Sequence, residues 1–449
     1  MEGYTAAVQP LTRAELLRLA LPSMASVILT NAYRSVDQYW IQGVGVEAQA
    51  AIGSSVFVLI AVFSAFHLSA IGAGPLLARA TGAQDPELRR RLLGRALTLS
   101  GGVGVLVSVL LVLMAEPVSR LIGLDGLTLS ESTTYLRTLG MTALPLALTP
   151  LLDQAFVAMG DTRTPMWLQG LSLLLNALMT PLFIFDEVAG LGGLGMGIAG
   201  AALASNASRL ITTGLGLHLL ARRTGLGLGH LGLGPELLRI VGIGWPAALG
   251  ITLYAGVYWA MLRTSISPLG PHVNAALGIG FSALEGFTWP AFYGISLALS
   301  SVVGRALGAG APEVARDAIR KAIPLATLAG LLAGLIFFFG GRALTGLFTD
   351  DLAVHEAATE YAMILAFSQL FVSWEALAEG VLTGAGDTRA VFWTSVPLNL
   401  LRIPLAWALA FPLGLAAAGI WWAINLTSVA KTGLKIGAVW RGRWAELEI

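Results

Sequence analysis

Long apolar stretches alternate along the chain with short polar or Gly/Pro-rich breaks, and the stretches are apolar on every face rather than along one stripe. Val103 to Ala115, Leu168 to Phe185 and Ile323 to Gly340 are nearly free of ionisable side chains. A helix needs about 20 apolar residues to cross about 30 Å of hydrocarbon, so many spans, and not one anchor, account for 449 residues. The pattern predicts twelve helices, near 14–43, 47–77, 89–115, 131–160, 164–187, 195–221, 235–262, 272–304, 315–340, 355–384, 389–411 and 415–440. Strands of a β-barrel would instead alternate polar and apolar residues over about 10 positions.

Composition agrees with a polytopic membrane protein. Charged residues make up 12% of the chain, against roughly 25% in soluble domains, and 56% is hydrophobic. The formal charge of +1 leaves no basic field for nucleic acid. Without cysteine, thiolate metal sites and cysteine nucleophiles are excluded, and the five histidines lack metal-ligand spacing. Met1 to Pro10 lacks the layout of a cleaved secretory signal, so the first hydrophobic segment is expected to remain as a span. With a cytoplasmic N-terminus, the inner segments hold 20 of the 27 basic residues, Lys431 and Lys435 among them, and the outer ones only Arg120, Arg137, Arg263 and Arg342. That asymmetry predicts an inner-membrane protein with both termini cytoplasmic. Arg34, Arg209 and Arg402 fall within helices.

The two halves repeat each other. Ala78-Arg79-Ala80-Thr81-Gly82-Ala83 matches Gly304-Arg305-Ala306-Leu307-Gly308-Ala309, and Gly160-Asp161-Thr162-Arg163 matches Gly386-Asp387-Thr388-Arg389, both 226 residues apart. Asn176 with Pro181 is echoed by Asn399 with Pro404, and Pro22 by Pro246. Six helices separate each matched pair, so the halves are parallel repeats about an axis along the membrane normal. The expected fold is all-α, with twelve transmembrane helices in two six-helix lobes, residues 1–225 and 226–449, related by a parallel pseudo-two-fold repeat. A monomer is sufficient, because one chain holds both lobes.

These residues resemble the multidrug and toxic compound extrusion (MATE) transporters over nearly the whole chain. The likeness is carried by Pro22 followed by Val36-Asp37, the Gly82 and Gly308 loops, both Gly-Asp-Thr-Arg loops, and Gly195-x-Gly197-x-x-Gly200-Ala201-Ala202. It implies secondary active export of cationic or amphipathic compounds in exchange for protons or sodium, with no cofactor beyond that coupling ion. Within the family the pattern is most similar to the branch named after DNA-damage-inducible protein F. That branch carries an Asp in the first helix near an Asn and an Asp four apart in the fifth. Here these positions are Asp37, Asn176 and Thr180, so Thr180 stands where the branch has a second carboxylate.

Asp37 lies six residues before Gly43, about 9 Å inside the outer end of its helix. A carboxylate at that depth must be paired, hydrated or protonated. It either couples to the ion or is neutralised by Arg34, three residues earlier on the same face. Asn176 either orients Asp37 and, with Thr180, ligates sodium, or only packs its helix. Glu285 and Glu375, with Trp289 and Tyr293, are candidates for a substrate cavity that takes planar cations. Glu375 is also the expected partner of Arg402. Glu379 and Asp153, again 226 apart, are read as a symmetric structural contact, His67 as packing or a proton relay, and Pro22 as a helix hinge. Gly101-Gly102-x-Gly104 and Gly192-Gly193-x-Gly195 lack the strand and lysine of a phosphate loop, and no ATP-binding motif occurs. The alternative functions are a lipid-linked precursor flippase, which needs a strongly basic cavity, and a major-facilitator transporter. An intramembrane enzyme finds no nucleophile and base to assemble.

Overall fold

The computed structural model describes residues 10–449, except for the side chains of Arg34, Phe57 and Ala283. The reading of Met1 to Pro10 thus falls, up to residue 9, outside the described residues, as does the Arg34 side chain. The first half contains α1 (Arg13–Ile41), α2 (Val46–Gly82), α3 (Pro86–Leu121), α4 (Gly126–Met141), α5 (Leu144–Ala158), α6 (Arg163–Ile184) and α7 (Gly197–Thr224). A two-residue hairpin pairs Glu187 with Gly192 between α6 and α7. The second half contains α8 (Glu236–Met261), α9 (Pro271–Ile279), α10 (Gly286–Gly308), α11 (Pro312–Leu335), α12 (Gly341–Gly346), α13 (Leu352–Ala366), α14 (Gln369–Ala385), α15 (Thr388–Ala410) and α16 (Ala416–Trp440). Among the described residues, seven helices are long and apolar enough to cross a membrane, and two bent pairs raise this to nine if each pair is one span. The chain is an all-helical, multi-pass membrane protein.

Exposure is distributed as a lipid-facing surface requires. Val105, Leu106, Val109, Leu110 and Leu113 of α3 are exposed, while Asp37, Arg209, Arg402, Lys431 and Lys435 are buried. With no water in the hydrocarbon, polar side chains turn inward to find partners.

Four expected helices differ in detail. The segment 131–160 is two helices, α4 and α5, bent by 60°, and 355–384 is α13 and α14, bent by 57°. The segment 272–304 is interrupted by a π-helical turn at Gly280–Glu285, and α11 runs into another at Ile336–Gly340. The bends occur at corresponding places 225 residues apart and are stitched in the same way. In the first half Asn206 of α7 donates its side-chain amide to the Leu139 carbonyl at 3.2 Å, and Thr213 donates to that of Pro145 at 3.4 Å. In the second, Asn425 of α16 reaches Ile364 at 2.6 Å and Thr432 reaches Phe371 at 2.9 Å. Each break frees backbone carbonyls, and an Asn and a Thr seven residues apart, on one face of the next long helix, satisfy those on both sides. Pro145 begins α5, but α14 has no proline in its first turn, so proline is not the common cause.

The other repeats also have structural content. Gly160 and Gly386 close their helices at φ +86° and +89°, a backbone region that favours glycine. Asp161 then accepts from Thr164 N at 3.0 Å, and Asp387 caps α15 through Ala390 N at 3.1 Å. Pro86 and Pro312 each occupy the first turn of their helix. The pair 100 and 147 is bonded from Ser100 Oγ to the Ala147 carbonyl at 2.8 Å. Its counterpart is bonded from Ser373 Oγ to the Ala326 carbonyl at 2.7 Å.

The chain forms two compact units. One comprises residues 29–80 and 85–248, the other 1–28, 81–84 and 249–449. The first has a core around Phe66, Leu111, Leu136 and Leu139, the second around Phe337, Tyr361 and Trp421.

Candidate functional site

Helix α6 carries Gln169, Ser172, Asn176 and Thr180, all buried. Their spacing of three and four residues puts them on one face. Helix α7 presents a matching stripe of Ser205, Ser208, Arg209, Thr212 and Thr213, also buried. Between these stripes α1 inserts Tyr33 and, four residues before its end, Asp37, which is 7% exposed.

The Asp37 carboxylate is held on both oxygens. Asn176 Nδ2 donates to Oδ1 at 3.3 Å, and Ser205 Oγ donates to Oδ2 at 3.0 Å. Asn176 Nδ2 also lies 3.1 Å from Ser205 Oγ, which closes a triangle of side chains from three helices. Behind it the Tyr33 hydroxyl bonds with Ser208 Oγ and lies 3.3 Å from Ser172 Oγ. The Arg209 guanidinium sits over the Tyr33 ring, 4.3 Å from its centroid. Asn176 Oδ1 and Thr180 Oγ1 are buried without a hydrogen-bond partner. The Asn176 oxygen at the carboxylate, with the Thr180 hydroxyl one turn along the same face of α6, offers donors of the kind a small monovalent cation takes. A hydroxyl ligates sodium but holds no proton at neutral pH. Asp37, Asn176 and Thr180 lie in one unit, and Asp37 and Asn176 are bonded to each other. Ser205 and Arg209, absent from the expected site, complete it; the polar stripe 205, 208, 209, 212 in an otherwise apolar helix is the signal that marks them.

In the other unit Glu375 does not pair with Arg402. Lys435 Nζ donates to Glu375 Oε1 at 2.8 Å and to Glu379 Oε2 at 2.5 Å, and Lys431 Nζ lies 3.2 Å from Glu375 Oε1. Arg402 is held by hydroxyls, with Nε on Thr427 at 2.9 Å, one terminal nitrogen on Tyr258 at 3.1 Å and the other on Ser428 at 3.4 Å. The two lysines, counted from sequence among the inner-segment charges, are buried in α16. Glu285 accepts from the Tyr361 hydroxyl at 2.6 Å. Trp289 and Tyr293 stack with centroids 5.8 Å apart, and Trp289 is exposed. His67 Nδ1 lies 2.7 Å from the Phe63 carbonyl one turn back, a local contact. Pro22 sits inside α1, which continues through it as a helix. Asp153 and Glu379 are not a symmetric contact, because Asp153 accepts from Gln169 at 2.7 Å whereas Glu379 takes Lys435. No group of three or more His, Cys, Asp or Glu suited to a metal occurs among the described residues.

The MatE family profile matches residues 22–182 and 234–408, most of both halves. The chain belongs to the MatE family. A relative named "Probable multidrug resistance protein NorM" from Thermotoga maritima is 26% identical over 444 residues, covering 97% of this chain and 94% of that one. "Multidrug resistance protein MdtK" from Edwardsiella ictaluri is 26% identical over 435 residues, covering 92% and 93%. A solved structure described as the "Outward-facing conformation of a multidrug resistance MATE family transporter of the MOP superfamily" shares the fold, with a TM-score of 0.88 at 21% identity over 97% of each chain. The MATE fold removes the major-facilitator alternative. The protein is a MATE-type efflux transporter and not an enzyme.

Proposed function

We propose that this MatE-family protein is a secondary antiporter that exports organic cations or amphipathic drugs and takes a monovalent cation, proton or sodium, at Asp37, Asn176 and Thr180. The observation that carries this reading is the buried Asp37 carboxylate, bonded from two other helices, with the Oδ1 of its partner Asn176 unsatisfied and Thr180 Oγ1 unsatisfied one turn further along α6. An intramembrane carboxylate so held changes its interactions whenever a cation arrives or leaves, and a difference in cation affinity between two conformations is what drives export. The first-helix Asp with its α6 Asn supports assignment to the DNA-damage-inducible protein F-like branch. Lys435 and Lys431 hold Glu375, so the C-terminal groups best disposed toward a planar cation are Glu285, Trp289 and Tyr293. Pro22, which removes one backbone donor from α1, is the point at which that helix would bend.

Twelve spans follow if α7, α15 and α16, of 28, 23 and 25 residues, cross the membrane along with the nine apolar candidates. They carry Asn206, Arg209, Arg402, Lys431 and Lys435 as buried polar side chains within their length. The matched bends and stitches support a duplication of two six-span halves, 1–225 and 226–449. The excess of basic residues in one set of loops supports cytoplasmic termini in the plasma membrane.

The test is efflux of ethidium from proteoliposomes under proton and sodium gradients imposed separately, comparing wild type with Asp37→Asn. Efflux driven by either gradient and lost in the variant is the expected result. A wild type that moves no cation under either gradient would overturn the substrate class and make a lipid-flipping assay the next step.

A further inference from the structure

The unit that holds Asp37 contains a second carboxylate, half-buried, with the makings of a cation site. Asp153, five residues before the end of α5, accepts from Gln169 Nε2 at 2.7 Å. It lines a small cavity together with Gln169, Thr149, Thr212 and Thr213. Gln169 is 3% exposed, and its Oε1 is buried without a hydrogen-bond partner. Thr149 Oγ1 and Thr213 Oγ1 lie 3.1 Å apart at the same cavity. The cavity is thus lined by a carboxylate, an unsatisfied amide oxygen and three hydroxyls. These oxygens come from three helices, α5, α6 and α7. This is the same chemistry as at Asp37, where an α6 amide donates to an acid and keeps its own oxygen unsatisfied.

The two places lie on one polar track. Gln169 and Asn176 are seven residues apart on one face of α6, about 10.5 Å along its axis. Thr212 and Ser205 are seven apart on α7 and flank the same two places. Between them lie Ser172, Ser208 and the Tyr33 hydroxyl, already bonded to one another. Arg209 is within electrostatic reach of both Asp37 and Asp153. Tyr33 from α1 and Tyr135 from α4 are further ionisable groups within reach of Asp37 and Arg209.

We propose that Asp153, with Gln169 and the surrounding threonines, is a second station for the coupling cation, on the side of the α5–α6 loop, and that the cation passes between Asp153 and Asp37 along the α6–α7 track. The inference rests on the coupling role of Asp37. Arg209 makes the stations exclusive: its charge opposes a cation at either, and displacement toward one carboxylate leaves the other available. The step transfers a proton or sodium ion between carboxylates and needs no other reactant.

Ethidium efflux from proteoliposomes, measured against proton and then sodium concentration, tests this with Asp153→Asn, Asp153→Glu and Asp37→Asn. Asparagine keeps the oxygen that accepts from Gln169, so the fold is retained, which a thermal-unfolding measurement on the full chain checks. The expected result is that Asp153→Asn raises the ion concentration for half-maximal efflux by about tenfold or more with the ethidium KM unchanged. Asp153→Glu should recover most of the loss. Which gradient responds tells proton from sodium. Unchanged ion dependence in Asp153→Asn, or equal loss in Asn and Glu variants, would overturn the second station while the Asp37 reading stands. Unchanged ion dependence in Asp37→Asn would instead sink the Asp37 reading, and the two-station path with it.

Discussion

Replacing Lys435 by methionine isolates the buried ion cluster of α14 and α16. Lys435 is 1% exposed and bridges Glu375 and Glu379 at 2.8 and 2.5 Å. Removing one partner of a buried pair typically costs about 3–5 kcal/mol, because the remaining charge is stranded away from water. Two features pull the expectation toward the lower bound. Lys431 remains 3.2 Å from Glu375, and the Glu379 side chain is 37% exposed and can be hydrated. The expected loss is therefore about 3 kcal/mol, more than a hundredfold in the folded-to-unfolded ratio. Combining Lys435→Met with Glu379→Gln restores neutrality, leaves the Lys431–Glu375 pair, and should return more than half of that loss. Equilibrium unfolding in mixed micelles by SDS titration, followed by circular dichroism, reads both numbers. A single-variant cost below about 1 kcal/mol, or a double variant no more stable than the single, would show that the cluster is solvated and that Glu375 is free to meet substrate.

Three further outcomes are expected. Ser205→Ala removes the 3.0 Å bond to Asp37 Oδ2 and the acceptor of Asn176, and should raise the half-saturating ion concentration of efflux by about three- to tenfold; an unchanged value would remove Ser205 from the site. A Cβ on Gly384 would lie 2.4 Å from the Ser300 carbonyl, and one on Gly380 2.5 Å from that of Ser296, so Gly384→Ala should cost about 2 kcal/mol by SDS unfolding, whereas Gly433→Ala, with open space around it, should be neutral or stabilising. Burial raises the Asp161 carboxyl, but the bonds from Thr164 and the Arg223 guanidinium outweigh it and hold the group below its ordinary 3.8. Its contribution, about 1 kcal/mol for a partly exposed cap, is thus present above that value and lost as pH falls below it. Thermal unfolding between pH 7 and pH 3 (about 1 kcal/mol over that span) should show this loss in wild type and not in Asp161→Asn.

Asp37 and Asn176 were legible in the sequence because each is a polar residue in an otherwise apolar run. Ser205 escaped notice because a serine alone in a membrane helix is ordinary, and only its α7 neighbours at three- and four-residue spacing make a stripe. The lysines of α16 were counted among the inner-segment charges because their partners, Glu375 and Glu379, are about 60 residues away in sequence and adjacent only after folding. Both bends were invisible for a similar reason. Hydropathy runs on through residues 142–143 and 367–368, and the carbonyls beside each break are satisfied by Asn206, Thr213, Asn425 and Thr432 from helices distant in sequence.

The bond that joins positions 100 and 147, and again 326 and 373, has changed its donor between the two copies. In one the hydroxyl is on the earlier helix, in the other on the later, and each time alanine supplies the carbonyl. Compared column by column, the halves differ at both places, serine against alanine and alanine against serine. What the two places share is the tie and not the letter. A hydroxyl at either end satisfies the same geometry, so the equivalence is carried by which helices are joined and not by residue identity.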